Sequence, residues 1–356
     1  MRTVHYRPAQ LRLGHCQKPQ SRAHRTRPRC RHRDLGCRFL RYNVDHPALI
    51  KLLVRLGVSA ALLYFVLRST DLTALWERVR SMNTWWLALA LIVFAGQSLI
   101  SVWRWDRLLR AQHVVVERTK LAESIWVSLF FNNFLPSNIG GDVMRITDTA
   151  RAAGSKTLAT TVVLVDRALG LTALLVVAAA GAFVLWLTGV YVPGSRWLWL
   201  ACIALVVAAV SVIAMPDFVG HLLGPVRALN KPWVTERAQR LEEAVMRFGK
   251  APGVMAGAFG AAIVVQLALV AFYLLTAKGL SVPLPMLLGA VLIPVSLVVQ
   301  MAPISINGFG VREAVFAFFF RRFGLSPDAA VALSLVSTGM VMALSLVGGL
   351  LFVKRR

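Results

Sequence analysis

Long runs without a single charge constrain this chain more than any other feature. "LTALLVVAAAGAFVLWLTGV" (171–190), "WLWLACIALVVAAVSVIAM" (197–215) and "AAVALSLVSTGMVMALSLVGGLLFV" (329–353) each reach the roughly 20 apolar residues that cross a hydrocarbon core. A soluble chain carries about 25% charged residues, whereas this one carries 16%, with 57% hydrophobic. The expected fold class is therefore an all-α polytopic membrane protein with about 6–8 transmembrane helices.

Candidate spans are 49–67, 85–103, a short 121–135, 168–188, 197–215, 253–275, 284–302 and 329–353. The first is the weakest, because Lys51 and Arg55 occupy its opening turns, where they would have to snorkel toward an interface. Trp85, Trp86, Trp103, Trp105, Trp197 and Trp199 flank spans in the manner of interfacial aromatic belts.

Basic connections set the orientation. Arg104, Arg107, Arg110, Arg118 and Lys120 follow the second span, residues 216–250 hold Arg227, Lys231, Arg237, Arg240, Arg247 and Lys250, and the chain ends "KRR". All three are expected on the cytoplasmic side, in the cell (inner or plasma) membrane. Within 235–248, "TERAQRLEEAVMRF", a Thr cap precedes Leu241, Val245 and Phe248 on one face, which reads as an amphipathic helix on the inner surface.

The net charge of +24 does not point to nucleic acid. Twelve of the forty Lys and Arg fall in residues 1–48, with five of the seven His and three of the four Cys. That segment has neither apolar periodicity nor a signal-peptide core. Two readings stay open for it: a disordered basic tail meeting anionic headgroups, or an over-extended start. Residues 49–356 form the transmembrane domain. Cys16, Cys30 and Cys37 lack zinc-site spacing, and Cys202 reads as a small apolar core residue.

One polar interruption breaks the pattern: "FLPSNIGGDVMR" (134–145), behind an apolar stretch. With basic residues before it and a span after it on the same side, 121–167 has to enter and leave on one face. The lengths favour a re-entrant hairpin with 157–167 as its return arm. The stretch is echoed by "APISINGFGVRE" (302–313): Pro136, Ile139, Gly141 and Arg145 match Pro303, Ile306, Gly308 and Arg312 at a constant offset of 167. The second hairpin, 284–324, then starts from the outside. That is the pattern of an inverted repeat with interrupted segments in corresponding places, although it turns Arg321 and Arg322 outward.

Irregular backbone inside a membrane survives only in protein or beside water. Proline ends one helix, glycines allow a tight reversal, and the next helix starts with free N–H groups and a partial positive charge that suit an anion. Arg145 and Arg312 would add bidentate donors, so the two tips could converge on one polar cavity for a charged headgroup. The expected binding set is Asn138, Gly140, Gly141, Asp142, Arg145, Asp166, Arg167, Asn307, Gly308, Gly310, Arg312 and Glu313. Asp142 and Arg145, at i,i+3, can instead form a local pair. Asp166 and Arg167 are adjacent and point apart, so each needs a partner elsewhere, with Arg145 a candidate for Asp166. Arg312 and Glu313 raise the same question. Asn132, Asn133, Asn138 and Asn307 could offer neutral hydrogen bonds or cap helices.

"NNFLPSNIGGDVMR", "LVDRALGL", "APISINGFGVREAVF" and "FGLSPDAAVALSLV" resemble the lysylphosphatidylglycerol synthase transmembrane-region family, or flippase-like proteins. The resemblance covers about residues 50–353. It implies a bacterial or archaeal module that moves phospholipids between leaflets, with relatives handling polyprenyl-linked sugars. It would place Asp142, Arg145, Asp166, Arg167, Arg312 and Glu313 around the headgroup. Lysyl-transferring members carry a large soluble domain beyond this region. The sequence here ends at Arg356, so the expectation is a non-enzyme that makes no aminoacyl lipid alone.

The leading function is a lipid translocase. The alternatives are an ion- or proton-coupled small-solute transporter and a membrane-embedded lipid or glycosyl transferase. No D-x-D, H-E-x-x-H, G-x-S-x-G or G-x4-G-K-[ST] occurs, so metal, hydrolase and nucleotide signatures are missing. No cofactor, catalytic residue, metal or nucleic-acid partner is expected. The expected partners are membrane phospholipids or polyprenyl-linked lipids, with a separate lipid-modifying enzyme and self-association left open.

Overall fold

Helices form every regular element among the described residues of the computed structural model, which are 57–61, 64, 65, 68, 72–135, 140–190, 194–214, 232–300 and 308–355. In chain order they are α1 Leu72–Arg80, α2 Thr84–Ala111, α3 Arg118–Phe134, α4 Gly140–Ala150, α5 Lys156–Leu187 and α6 Ser195–Ala214. There follow α7 Pro232–Gly249, α8 Pro252–Gly279, α9 Met286–Gln300, α10 Val311–Arg322 and α11 Pro327–Lys354. Four of them, α2, α5, α8 and α11, are long and apolar enough to cross a membrane. The shorter apolar helices are α9 and the Ser195–Ala208 part of α6. The multi-pass reading stands.

The architecture is organised around α2 and α8, which pack along each other in opposite directions. Asn83, which caps α2 by accepting from Trp85 N at 3.0 Å, donates its own N–H to Gly279 O at 2.8 Å. The start of α2 thus meets the end of α8. Farther along, Phe94 and Phe272 lie 5.2 Å apart, and Trp103 borders Gly257 near the start of α8.

Six of the other helices, α3–α5 and α9–α11, repeat one pattern around that pair. The arm α3 packs on α11 while α9 packs on α5, α4 packs on α5 as α10 does on α11, and α3–α4 and α9–α10 are the two hairpins. Each half is therefore a four-helix unit, α2–α5 or α8–α11, whose first hairpin arm crosses to the other half's long helix. Corresponding helices α2 and α8 run antiparallel, so the halves are inverted relative to each other.

The crossings are built on equivalent glycines. Gly181 of α5 lies against Ala290 and Val291 of α9, and Gly348 of α11 lies against the Trp126 carbonyl of α3. They stand 167 residues apart, the offset of Arg145 and Arg312. Without a Cβ the backbones approach closely, the usual basis of helix contact where lipid removes the hydrophobic drive.

Two apolar cores lie at opposite ends of the α2/α8 pair. One gathers Phe94, Phe272, Tyr273, Phe316 and Phe320; the other gathers Val102, Trp105, Leu109, Val162 and Phe248. Trp105 and Phe272, both fully buried, are again 167 residues apart.

Several boundaries differ from the sequence reading. The helix expected at 85–103 continues to Ala111, because nothing breaks it before Gln112 and His113, the latter at φ 61°. Arg104 and Asp106 are consequently buried helix residues, not loop residues, and Trp105 is core, not interface. The span expected from 168 begins at Lys156, capped by Ser155 Oγ accepting from Leu158 N at 3.4 Å. The return arm of the first hairpin is thus α4, and 157–167 belongs to the long helix α5. The helix expected from Thr235 starts at Pro232. Ala244 and Phe248 on this helix are buried in protein, with Gln112 Nε2 donating to Ala244 O at 2.9 Å, while Leu241 and Val245 are half-buried.

Residues Pro47–Arg356 form one compact unit. The expected tail 1–48 and most of the candidate span 49–67 lie outside the described residues. Arg321 and Arg322 are exposed at the C-terminus of α10, where cations complement the helix dipole. That end is opposite the one where Arg355, after α11, binds Glu123 at 2.9 Å and Asp148 at 3.1 Å.

Candidate functional site

In both halves a glycine near the start of the second hairpin arm is pressed against polar groups of the preceding arm. A Cβ on Gly141 would overlap the Ser128 carbonyl. Its N–H donates to Asn132 Oδ1 at 2.9 Å, which satisfies one of the free donors at the start of α4. In the second half Gly308, at φ 74°, lies against the Gln300 side chain, and only glycine takes that left-handed conformation without strain. Gly310 follows at φ 82° and donates its N–H to Glu313 Oε2 at 2.7 Å. This is the carboxylate half of a capping box, since glycine has no side chain to supply the other half.

The charges of the first half interlock across three helices. Asp142 and Arg145, on one face of α4, do not pair with each other. Asp142 pairs with Arg167, and Arg145 Nη2 reaches Asp166 Oδ2 at 2.9 Å. The other oxygen of Asp166 accepts from Arg104 Nε of α2 at 2.7 Å. Asp166 is 3% exposed and Arg104 7%, so each charge needs its partners to be tolerated. The Arg145 guanidinium also lies 4.2 Å from the centroid of the Trp105 ring, a buried cation–π contact.

The second half has fewer charges and is knit differently. Arg312 Nε donates to Ser334 Oγ of α11 at 2.7 Å, and Ser334 in turn donates to Glu313 Oε1 at 2.6 Å. Arg312 Nη2 meets the same oxygen at 3.2 Å, so these neighbours do pair, through the side of a helix start. The architecture still echoes the first half. Each arginine finds its partner on the following long helix, 21 residues on for Asp166 and 22 for Ser334.

Arg312 borders a half-enclosed cavity of about 190 Å³. Its polar lining includes Asn133 from the end of α3, Gln300 from the end of α9, Tyr273, Ser337 and Thr338, backed by Phe94 and Phe272. Asn133 and Gln300 are one more pair at the 167-residue offset. The cavity therefore opens where the two hairpin arms end, and both halves contribute to it. It is below the usual 300–1,000 Å³ of a small-molecule pocket. At about 30 Å³ per water, it holds about six waters or one compact polar group.

Arg145 does not line this cavity. Its partner Trp105 is eleven residues beyond Phe94 on α2, about 16 Å along the helix axis. The structure thus brings Asp142, Arg145, Asp166 and Arg167 together in one cluster, and Arg312 and Glu313 together in another. Gly140 and Gly141 start α4, while Gly308 and Gly310 form the turn before α10. Asn138 and Asn307 lie outside the described residues. The sequence marks Arg104 only as one of a basic run after a span, and gives no sign of Ser334 or Gln300. The repeat offset would have found Gln300 through Asn133, but Arg104 has Ala271 as its counterpart and gives no such signal.

Among the described residues no group of three His, Cys, Asp or Glu is placed to hold a metal ion. No curated protein matches the chain. The family model described as the lysylphosphatidylglycerol synthase TM region matches residues 52–349, a stretch that includes both hairpins, both arginine clusters and the cavity. With most of its length accounted for in that way, the chain belongs to the lysylphosphatidylglycerol synthase transmembrane-region family and is an integral membrane protein.

Proposed function

We propose that this protein is a lipid translocase that passes the headgroup of a phospholipid or polyprenyl-linked lipid between leaflets. The observation that carries the reading is the polar cavity at the ends of both hairpin arms, with the buried Arg312 on its wall. A lipid moves between leaflets only if its polar end is shielded from hydrocarbon on the way. A compact cavity in which amides, hydroxyls and one guanidinium sit among apolar side chains supplies that shield. The arms α3 and α9 have 17 and 15 residues. At about 26 and 22 Å they fall short of the ~30 Å core, which supports reading both hairpins as re-entrant. Inverted halves suit a path reached in turn from either side.

The test is a fluorescent-phospholipid leaflet assay in proteoliposomes. Wild type should move label between leaflets. Arg312→Lys, which keeps a positive charge beside the buried Glu313 but loses the guanidinium fork, should slow it roughly tenfold in protein that still folds. A wild-type protein that moves no lipid, across anionic, zwitterionic and polyprenyl-linked headgroups, would overturn the reading.

A further inference from the structure

The two arginine clusters differ in charge balance. Around Arg312 the account closes, with one guanidinium against Glu313, which is fully buried and hydrogen-bonded at both oxygens. Among the described residues, the ion pairs of the first cluster set Arg104, Arg145 and Arg167 against Asp142 and Asp166. Arg167 takes Asp142, and Arg104 and Arg145 divide the two oxygens of Asp166. One positive charge is therefore left over between two arginines that are each more than nine-tenths buried.

The donors tell the same story. Arg104 Nη1 and Arg145 Nε are buried and make no hydrogen bond. Native interiors leave few such atoms, and each asks for an explanation. An uncompensated buried charge asks for a stronger one. Both are explained at once by an anion with oxygen acceptors. Arg145 lies over the Trp105 ring, and both guanidiniums are anchored through Asp166, so their positions are set before any ligand arrives.

We propose that Arg104 and Arg145 form an oxyanion station separate from the Arg312 cavity, taking one phosphate or carboxylate group. That chemistry is shared by a phospholipid phosphodiester and free inorganic phosphate. The station sits about 16 Å farther along α2 than the cavity, toward the end of the molecule that holds Arg355. Its role as one of two stops on a headgroup path rests on the translocase reading; its existence as an anion site does not. Arg104 becomes a binding residue with no counterpart in the other half, where Ala271 stands. The two stations are thus chemically unequal, the first net cationic and the second net neutral.

The experiment is thermal unfolding of the full chain in neutral detergent at constant ionic strength. Sodium phosphate is titrated against sodium chloride, and short-chain phosphatidylglycerol against phosphatidylcholine. Wild type should show an unfolding temperature that rises with the logarithm of phosphate or phosphatidylglycerol concentration. Arg104→Gln should abolish the phosphate-dependent rise, which Arg312→Gln should leave, and should weaken the phosphatidylglycerol-dependent rise. Arg104→Lys keeps the charge beside Asp166 but loses the second nitrogen, so it should keep the fold and lose most of the rise. A rise with phosphate marks a site open to free oxyanions, and a rise with phosphatidylglycerol alone marks a lipid headgroup. No rise with either, or a rise that survives both Arg104 variants undiminished, overturns the station. A protein that shows the Arg104-dependent rise yet moves no lipid refutes the translocase reading and leaves the station standing.

Discussion

Arg145 and Asp166, 21 residues apart in the chain, meet across the α4–α5 interface at 2.9 Å, while Arg104 of α2 takes the other oxygen of the same carboxylate at 2.7 Å. One carboxylate thus ties together arginines from two helices. Asp166→Asn would leave two buried guanidiniums facing each other. Breaking a buried pair by removing one partner costs about 3–5 kcal/mol. The expected outcome is a large loss of detergent-solubilised folded protein, read by thermal unfolding and size exclusion. The double variant Asp166→Asn/Arg104→Gln, with one cation removed, should recover part of it. A double variant no better than the single would contradict the shared-carboxylate account.

The second pair of the cluster is unequal in burial, and that sets a direction. Asp142 is buried, whereas the Arg167 side chain is 34% exposed. Arg167→Ala leaves a buried carboxylate short of its partner. Asp142→Ala leaves an arginine that can swing its head toward water. Arg167→Ala should therefore lower the unfolding temperature more than Asp142→Ala does, by a difference of about 1–3 kcal/mol. The reverse order would show that the pair is held by something other than the need of Asp142 for a counter-charge.

Much of this was readable from sequence where local geometry decides. Adjacent Asp166 and Arg167 cannot face each other on a helix, which points Asp166 to Arg145, whereas Asp142 as the partner of Arg167 is not legible from spacing. Arg104 was lost because a run of arginines after an apolar stretch looks like the end of a span. Only a partner 62 residues away makes it a core residue. The start of α5 was missed for a related reason: the polar opening "KTLATT" hides a Ser155 cap. The repeat extends beyond its four identical letters. Trp105/Phe272, Asn133/Gln300 and Gly181/Gly348 all stand at the offset of 167, but the first two preserve shape and chemistry rather than identity.

Gly348 marks the tightest of the helix crossings. An added methyl there would overlap the Trp126 backbone carbonyl, whereas at Gly181 the nearest atom is the movable Val291 side chain, 2.9 Å from the added Cβ. Backbone cannot yield as a side chain can. Gly348→Ala should destabilise by about 1–3 kcal/mol, the range of overpacked cores, with Gly181→Ala at or below its lower end. Unfolding temperatures of the two variants in the same detergent check the order. Equal losses would mean that the α3/α11 crossing can relax.

Glu313 controls how much of the Arg312 charge a ligand in the cavity feels. Glu313→Gln keeps the size and an acceptor for the Gly310 N–H but removes the neutralising charge. Unit charges at close range interact by several kcal/mol even at an intermediate dielectric. Under the translocase reading, the preference for anionic over zwitterionic lipid should therefore rise by about tenfold or more, against ~1.4 kcal/mol per decade. The measurement is leaflet exchange of matched phosphatidylglycerol and phosphatidylcholine probes. An unchanged ratio would mean that the headgroup does not pass beside Arg312.

The antiparallel pairing of α2 and α8 makes a prediction about sidedness that needs no substrate. Arg107 is exposed near the end of α2, and Arg321 is exposed at the end of α10, at opposite ends of the inverted bundle. Arg107→Cys and Arg321→Cys can be placed in a chain whose Cys16, Cys30, Cys37 and Cys202 are replaced by serine. A membrane-impermeant maleimide should then label one in intact cells and the other only in inverted vesicles. Position 107 should share its side with a cysteine at Arg355, which touches Glu123 and Asp148 of the first hairpin. Labelling of 107 and 321 from the same side would break the inverted relationship of the halves, because no rotation in the membrane plane could then exchange them.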